Sequence, residues 1–245
     1  MPRKAHTESL ADQHAAPGGV AAVDRALTLL LAFQAADRSL TLGQLAERTG
    51  LYKSTVLRLM ASLEHARLVQ RLEDGRYALG SEVARLHGVY AASFSLEHVV
   101  LPVLRALVDA TGESAAYHVP QGAQRLCLYR IDSPHPVRDH IRAGDLLPAG
   151  RGSGGRVLRA FAADADADAA ITPEEKMLYE RIRQQGYYAA SGDRLADVAG
   201  ISAPVFRGDG SLSAAVTLTM PANRYTDAHI PAVLHAAQQL SGRVG

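Results

Sequence analysis

The sequence predicts an α+β chain of two domains: a winged helix-turn-helix, then a linker helix, then a larger domain on a mainly antiparallel sheet. Three observations predict it. Within residues 40–63, LTLGQLAERTGLYKSTVLRLMASL, two short amphipathic patterns meet at a glycine-bearing corner. Residues 68–79 follow at once with two β-leaning runs joined through Asp74-Gly75. Beyond residue 113, strand hairpins mix with helices instead of alternating strictly with them. The boundaries that result are a tail over 1–19, the winged unit over 20–80, the linker helix over 81–95 and the C-terminal domain over 96–245.

Residues 1–19 are polar and alanine-rich and close on Pro17-Gly18-Gly19, which reads as a disordered tail where Arg3 and Lys4 can add phosphate contacts. Val23, Ala26, Leu27, Leu30 and Leu31 then recur at helical spacing, predicting a support helix that ends near 36–37. Thr41 stands at the N-cap position ahead of Leu42, Leu45 and Ala46, and Gly50 supplies the positive φ that ends that helix. In the next helix Val56, Leu59, Met60 and Leu63 form an apolar stripe, which leaves Lys53, Ser54, Thr55 and Arg58 facing solvent. Helix, short turn with glycine, helix with exposed hydroxyls and cations is the pattern that lays a recognition helix in the DNA major groove. Thr41 and the free amides beside it suit a backbone phosphate. The 68–79 hairpin reads as a wing, with Arg76 and Tyr77 placed for backbone or minor-groove contact.

Over 82–94 Val83, Leu86, Val89 and Tyr90 share one helix face, which the second domain or a partner chain should cover. A further helix over 96–110 stops at Thr111-Gly112. Strands are predicted over 114–119, 125–131, 137–143, 187–189, 201–206 and 212–220, the last two turning at Gly208-Asp209-Gly210. Helices are predicted over 155–162, over 172–185 with Thr172 as cap and Pro173 first inside, and over 226–240. The Ala/Asp stretch 162–170 reads as loop.

An apolar share of 47 % with 21 % charged residues is globular composition. The net charge of +1 announces no basic field, so any nucleic-acid contact rests on local cations such as Lys53, Arg58, Arg67, Arg71 and Arg76. One cysteine excludes an intramolecular disulfide, no Cys and His spacing resembles a zinc site, and no cofactor is implied. With no signal-like start and no apolar run near the ~20 residues that span a bilayer, the chain reads as cytoplasmic.

Residues 150–155, GRGSGG, match the dinucleotide fingerprint GxGxxG literally. That fingerprint needs a hydrophobic strand just before its first glycine, and Leu147-Pro148-Ala149 puts a proline there. What survives is a run of glycine amides ahead of a helix, a concavity that favours carboxylate or phosphate. Ser153 lacks the GxSxG setting of a nucleophile. His118, His135 and His140 are scattered, Asp164, Asp166 and Asp168 sit in low-complexity sequence, and Cys127 between leucines reads as buried and inert. No nucleophile with a base emerges, so no enzyme is predicted.

Lys53-Ser54-Thr55-Val56, Gly75-Arg76-Tyr77-Ala78-Leu79-Gly80, Ile131-Asp132-Ser133-Pro134, Leu147-Pro148, Gly155-Arg156, Gly186-Tyr187 and Ala203-Pro204-Val205 occur in this order. On these motifs the chain resembles the IclR family of bacterial transcription regulators over residues 23–241. The resemblance implies a GAF-like effector domain after the winged helix-turn-helix, and homodimers or tetramers on palindromic double-stranded DNA operators. It also implies a pocket for a small organic, often aromatic, acid that changes operator affinity. By position that pocket involves Leu147, Ser153, Gly154, Gly155, Val198 and Gly200. The chain departs from the family's usual residues at Tyr52, Leu57, Ala190, Arg156 and Gly200, and its 162–172 segment is shorter. Two other readings stay open from sequence: a small-molecule enzyme or sensor whose helix-turn-helix serves protein contacts, and an architectural DNA-binding protein without effector.

Overall fold

The structure is a computed structural model that describes residues 9–13, 15–34, 36–94, 96–162 and 171–244. It divides into two compact units between Ser93 and Phe94. The first strings together α1 (Leu10–Gln13), α2 (Ala21–Leu31), α3 (Leu42–Thr49), α4 (Lys53–His65), β1 (Val69–Arg71), β2 (Tyr77–Leu79) and nearly all of α5 (Ser81–Phe94).

Thr41 caps α3 reciprocally: its hydroxyl accepts from the Gln44 N–H at 3.2 Å, and Gln44 Oε1 accepts from the Thr41 N–H at 2.9 Å. Gly50, at φ 69°, ends the helix. Leu51 buries itself in the corner, so the turn into α4 is pinned by packing as well as by backbone. Leu29, Leu40, Leu45, Val56, Met60, Leu63, Val69 and Tyr77 make the core of this unit. The wing is a real hairpin, paired from Val69–Leu79 to Arg71–Tyr77, and Leu40 bridges to Tyr77 just before α3 begins.

Two expectations are corrected in this unit. Residues 9–13 are ordered: Ser9 caps the single turn α1, and Arg25 of α2 donates to Asp12 at 2.7 Å. Residues 1–8, with Arg3 and Lys4, lie outside the described set. Helix α2 ends at Leu31 and buries Leu29, with Ala26, Leu30 and Phe33 beside it, while Val23, Leu27 and Leu31 of the predicted face are exposed. The segment is apolar on almost every side, so its periodicity does not fix which face turns inward. The linker helix belongs to this unit through a hydrogen bond from Glu82 N–H to the Arg67 carbonyl, and its Leu86, Val89 and Tyr90 are exposed.

The second unit comprises α6 (Leu96–Thr111), β3 (Ser114–Gln121), β4 (Gln124–Ile131), β5 (Leu146–Pro148), α7 (Ser153–Ala160), α8 (Pro173–Gln185), β6 (Tyr188–Ser191), β7 (Val198–Phe206), β8 (Leu212–Pro221) and α9 (Ile230–Leu240). Among the described residues its sheet runs β5-β4-β3-β8-β7-β6 with every neighbouring pair antiparallel. Period-2 alternation gives the sheet two different faces. Ala115, Tyr117, Ile201, Ala203, Val216 and Leu218 share an apolar core with Val100 and Leu104 of α6 and Val233 and Leu240 of α9. His118, Ser202 and Thr217 point the other way, toward the start of α7. Helix α8 begins and ends as its sequence predicts, with a Thr172–Glu175 capping box, Pro173 at its first turn and Gly186 at φ 75°.

Residues 137–143 are not a strand. Pro134 and Pro136 offer no N–H to a ladder, Asp139 is drawn inward to Arg130, and Arg224 donates to the Val137 carbonyl at 3.1 Å. The unpredicted strand β5 occupies the sheet edge instead, where Pro148 at its end costs no ladder bond to a further neighbour. Helix α9 starts at Ile230, after two short 3-10 turns, Ala222–Arg224 and Asp227–His229. The predicted loop over 162–170 falls, beyond Ala162, outside the described residues, as do Asp164, Asp166 and Asp168. Among the described residues no helix is long and apolar enough to cross a membrane.

Candidate functional site

In the first unit the site is the outer side of α4. Val56, Met60 and Leu63 anchor the helix, which turns Lys53, Ser54 and Arg58 to solvent and leaves Thr55 half-buried. Tyr52, before the helix, and Leu57, one turn after Lys53, stand on the same surface, 62 % and 47 % exposed. Sequence reasoning did not select them, although the stripe at 56, 59, 60 and 63 already leaves 57 outside. The Thr41 hydroxyl is engaged in its capping box, so what remains for an anion there is the open end of α3.

The wing residues divide. Tyr77 is only 3 % exposed and belongs to the core, so its placement as a DNA contact is corrected: a ring that anchors the hairpin has no surface to give. Arg71, one of the local cations of this stretch, lies over that ring at 5.9 Å and is exposed. Arg76 is half-buried, and its Nε is buried without a partner.

In the second unit the site is the polar face of the sheet beneath α7. The hydroxyls of Ser153, Ser202 and Thr217 form a chain with 2.9 Å links, and Thr217 Oγ1 lies 3.2 Å from His118 Nδ1. The glycines permit this closeness. A Cβ on Gly154 would stand 2.7 Å from Thr217 Oγ1, and one on Gly200 would stand 2.4 Å from Ser153 Oγ. Ser153, Gly154, Val198 and Gly200 line a tight hollow of about 20 Å³, room for one water-sized group, with His118, Arg125 and Ala190. Gly155 does not line it: a Cβ there would meet Arg125 Nη1 at 2.4 Å and the Ala149 carbonyl at 2.5 Å. Leu147 lines a second, wider hollow that shares Ile141, Arg194 and Val198 with the first.

The glycine loop is less open than its sequence predicts. Gly152 N–H donates at 2.7 Å to Asp193, whose carboxylate also pairs with Arg156, and Arg156 reaches Glu175 at 2.9 Å. The Gly152 amide is therefore already given to a carboxylate of this chain. A strand does precede the glycines, contrary to the reason for setting the dinucleotide fingerprint aside, but it is an antiparallel edge strand and not the parallel strand that motif requires.

Two side chains that the sequence reading missed dominate the electrostatics. Arg125 is 3 % exposed, and burial together with nearby Arg194 brings its pKa down to about 10, so it stays a cation at neutral pH. His118, passed over as a scattered strand histidine, is fully buried; burial and then Arg125, Arg130 and Arg194 hold its pKa well below the usual 6.5. One signal could have exposed this face: Thr217 and Thr219 alternate with Val216, Leu218 and Met220 on a strand otherwise read as apolar. Cys127 is buried, and burial pushes its thiol up to about 12, which removes it as a nucleophile. Among the described residues no group of His, Cys, Asp and Glu could hold a metal ion.

Comparison with known proteins bears on both units. Residues 22–73 match the IclR helix-turn-helix domain, and residues 88–244 match the C-terminal domain of bacterial transcriptional regulator IclR. The regulator BhcR of Paracoccus denitrificans is 27 % identical over 245 residues, covering 91 % of this chain and 87 % of its own. A crystal structure of an IclR regulator from Silicibacter sp. TM1040 superposes with a TM-score of 0.80 at 27 % identity, over 91 % of this chain and 96 % of that one. An IclR homolog from Microbacterium hydrocarbonoxydans, solved as a complex with 4-hydroxybenzoate, shares the fold at a TM-score of 0.79 and 22 % identity, over 91 % of this chain and 98 % of that one. Relatives of this kind are named as transcriptional regulators and not as enzymes. With family models matched across both units, the chain belongs to the IclR family of transcriptional regulators.

Proposed function

We propose that this regulator binds a palindromic operator with α4 in the major groove, and that a small organic acid in the second unit modulates its affinity. Lys53, Ser54, Thr55 and Arg58 read or approach base edges, where a guanidinium can make two bonds to guanine. Thr41, through the end of α3, and Arg76 hold the sugar–phosphate backbone. The observation that carries this reading is that α4 turns its apolar side to the core and leaves its cations and hydroxyls outside, in a unit whose wing is formed. A palindromic site requires two copies, so the functional form is a cytoplasmic homodimer or homotetramer. The acid is supported by the buried cation Arg125 in the hollow and by the family neighbour whose structure holds 4-hydroxybenzoate.

The test is a mobility-shift titration of the full chain on DNA from upstream of its own gene, at several salt concentrations. A sequence-selective shift that weakens steeply with salt is expected, because neutralised phosphates release counterions. Its absence with and without a panel of organic acids overturns the operator reading and favours a helix-turn-helix used for protein contacts.

A further inference from the structure

We propose that Leu57 reads thymine: its side chain meets the C5 methyl of a thymine in the major groove, which makes it a specificity-determining residue of α4 beside the polar ones. The inference rests on the reading of α4 as the helix that enters operator DNA, and it names a base which that site selects.

Helix α4 sorts its large apolar residues inward with one exception. Val56, Met60 and Leu63 are buried, and Leu59 packs half-buried against the same core. Leu57 is outside that cluster and is 47 % exposed, the one large apolar side chain of α4 left open. At 3.6 residues per turn it stands about 100° round the helix from Val56, but only about 40° from Lys53 and about 60° from Ser54. A branched hydrocarbon thus lies among the exposed side chains of Lys53, Ser54 and Arg58.

A solitary exposed leucine is ordinary on a protein surface. The neighbours of this one are informative. The first turn of α4 carries Lys53 and no acidic residue, although a helix N-terminus favours carboxylates and disfavours cations. This end is built against its own dipole, an arrangement that a polyanionic partner relieves. The N-terminal turns of a recognition helix are also the ones that reach base edges. Leu57 is the fifth residue of α4 and lies about 6 Å along the axis from its start, within those turns.

The major groove presents hydrogen-bond donors and acceptors, and its apolar group is the C5 methyl of thymine. A leucine set against a donor or acceptor would bury that group without a bond and weaken binding. The pairing that gains is leucine with methyl. Burying one methyl strengthens binding about three- to fourfold. A palindromic site seats two copies of α4, so the two methyls together contribute about tenfold. Leu57 is a position at which the chain departs from the family's usual residue, so the preference belongs to this chain.

The test is a mobility-shift titration on the fragment from upstream of the chain's own gene, prepared once with thymidine and once with deoxyuridine throughout. Uracil lacks the C5 methyl and keeps every base-edge hydrogen bond of thymine. The parent chain is expected to bind the deoxyuridine fragment about tenfold more weakly. Leu57→Ala should bind the thymidine fragment about tenfold more weakly than the parent chain does, with an unchanged melting temperature, and should bind both fragments alike. Restoring thymidine at one base pair in each half-site should recover the loss for the parent chain alone. Should Leu57→Ala prove unstable, Leu57→Gln repeats the measurement with a strong helix former. A parent chain that binds both fragments equally overturns the proposal. So does a deoxyuridine loss that Leu57→Ala shows in full, because the methyls then act through another side chain or through the shape of the duplex. Selective binding without methyl dependence removes the role of Leu57 alone, whereas a parent chain with no sequence-selective binding to the thymidine fragment overturns the operator reading and this proposal with it.

Discussion

In the first unit the groups meant for a partner stand outside the core on α4, whereas in the second they lie inside, on the polar face of a sheet buried on both sides. The difference teaches what kind of partner each can meet. Lys53, Ser54 and Arg58 keep their water until a large rigid surface displaces it, so the unit can rest on a small, wholly apolar core. His118, Arg125, Ser202 and Thr217 gave up water when the chain folded. Their cost is offset by hydroxyl-to-hydroxyl bonds, while Nε of Arg125 and Nε2 of His118 stay buried without a partner. Mutations at the first site should therefore change binding and spare the fold. At the second, the side chains of the proposed site also hold the fold together, so mutations there should disturb both.

The contrast breaks most visibly at Tyr77, which sits on the DNA-facing wing but belongs to the core. Tyr77→Ala should cost about 3–5 kcal/mol, the range for emptying a buried aromatic site, read by denaturant unfolding followed through hydrogen exchange in the first unit. Tyr77→Phe should leave operator affinity unchanged, and a clear loss there would return the hydroxyl to the DNA surface. In the second unit Gly155→Ala should cost about 1–3 kcal/mol through overpacking, since its Cβ meets Arg125 Nη1 and the Ala149 carbonyl. That loss should appear in exchange from β4 and α7 with no change in the first unit.

Of comparable size but different kind, Arg58→Ala should lose about 1–3 kcal/mol of sequence discrimination, measured as specific minus nonspecific binding at fixed salt, with thermal stability unmoved. Equal losses on operator and random DNA would make Arg58 a phosphate contact. The smallest effect separates the units by pH. Because His118 titrates well below 6.5 when folded, the unfolded chain binds a proton that the native ring refuses once pH drops under 6.5. Its contribution is complete above that value and is lost as pH falls toward the folded pKa. In the first unit Asp37 is held below its ordinary 3.8 by Arg48, and Asp12 by Ser9 and Arg25, so their contributions persist until the carboxylate range. Exchange protection should therefore weaken in the second unit before the first between pH 7 and 5. Simultaneous weakening would remove His118 as the cause.

Local signals were legible where a single residue type satisfies a backbone need. Thr41, Gly50, Thr172, Pro173 and Gly186 marked helix ends, and Asp74-Gly75 marked the hairpin, because caps and turns are decided within a few residues. The phase of α2 was not legible, since apolar residues on nearly every side leave the choice of Leu29 over Leu27 to whatever packs against it. Nor was the loop at 137–143, where β-branched residues suggest a strand but Asp139 is held by Arg130 from another strand.

Taken alone, the sequence determined the helix-turn-helix with its wing and outward cations and the family to which the chain belongs. Each of those rests on short-range spacing that no distant contact revises. Tertiary structure decided which side chains share a place. It withdrew Tyr77 from the surface, gave the Gly152 amide to Asp193, and brought Arg125 and His118, from neighbouring strands, against Gly154. The reason is physical: burial and charge pairing depend on what lies across a sheet or beneath a helix, and residues far apart in the chain supply it.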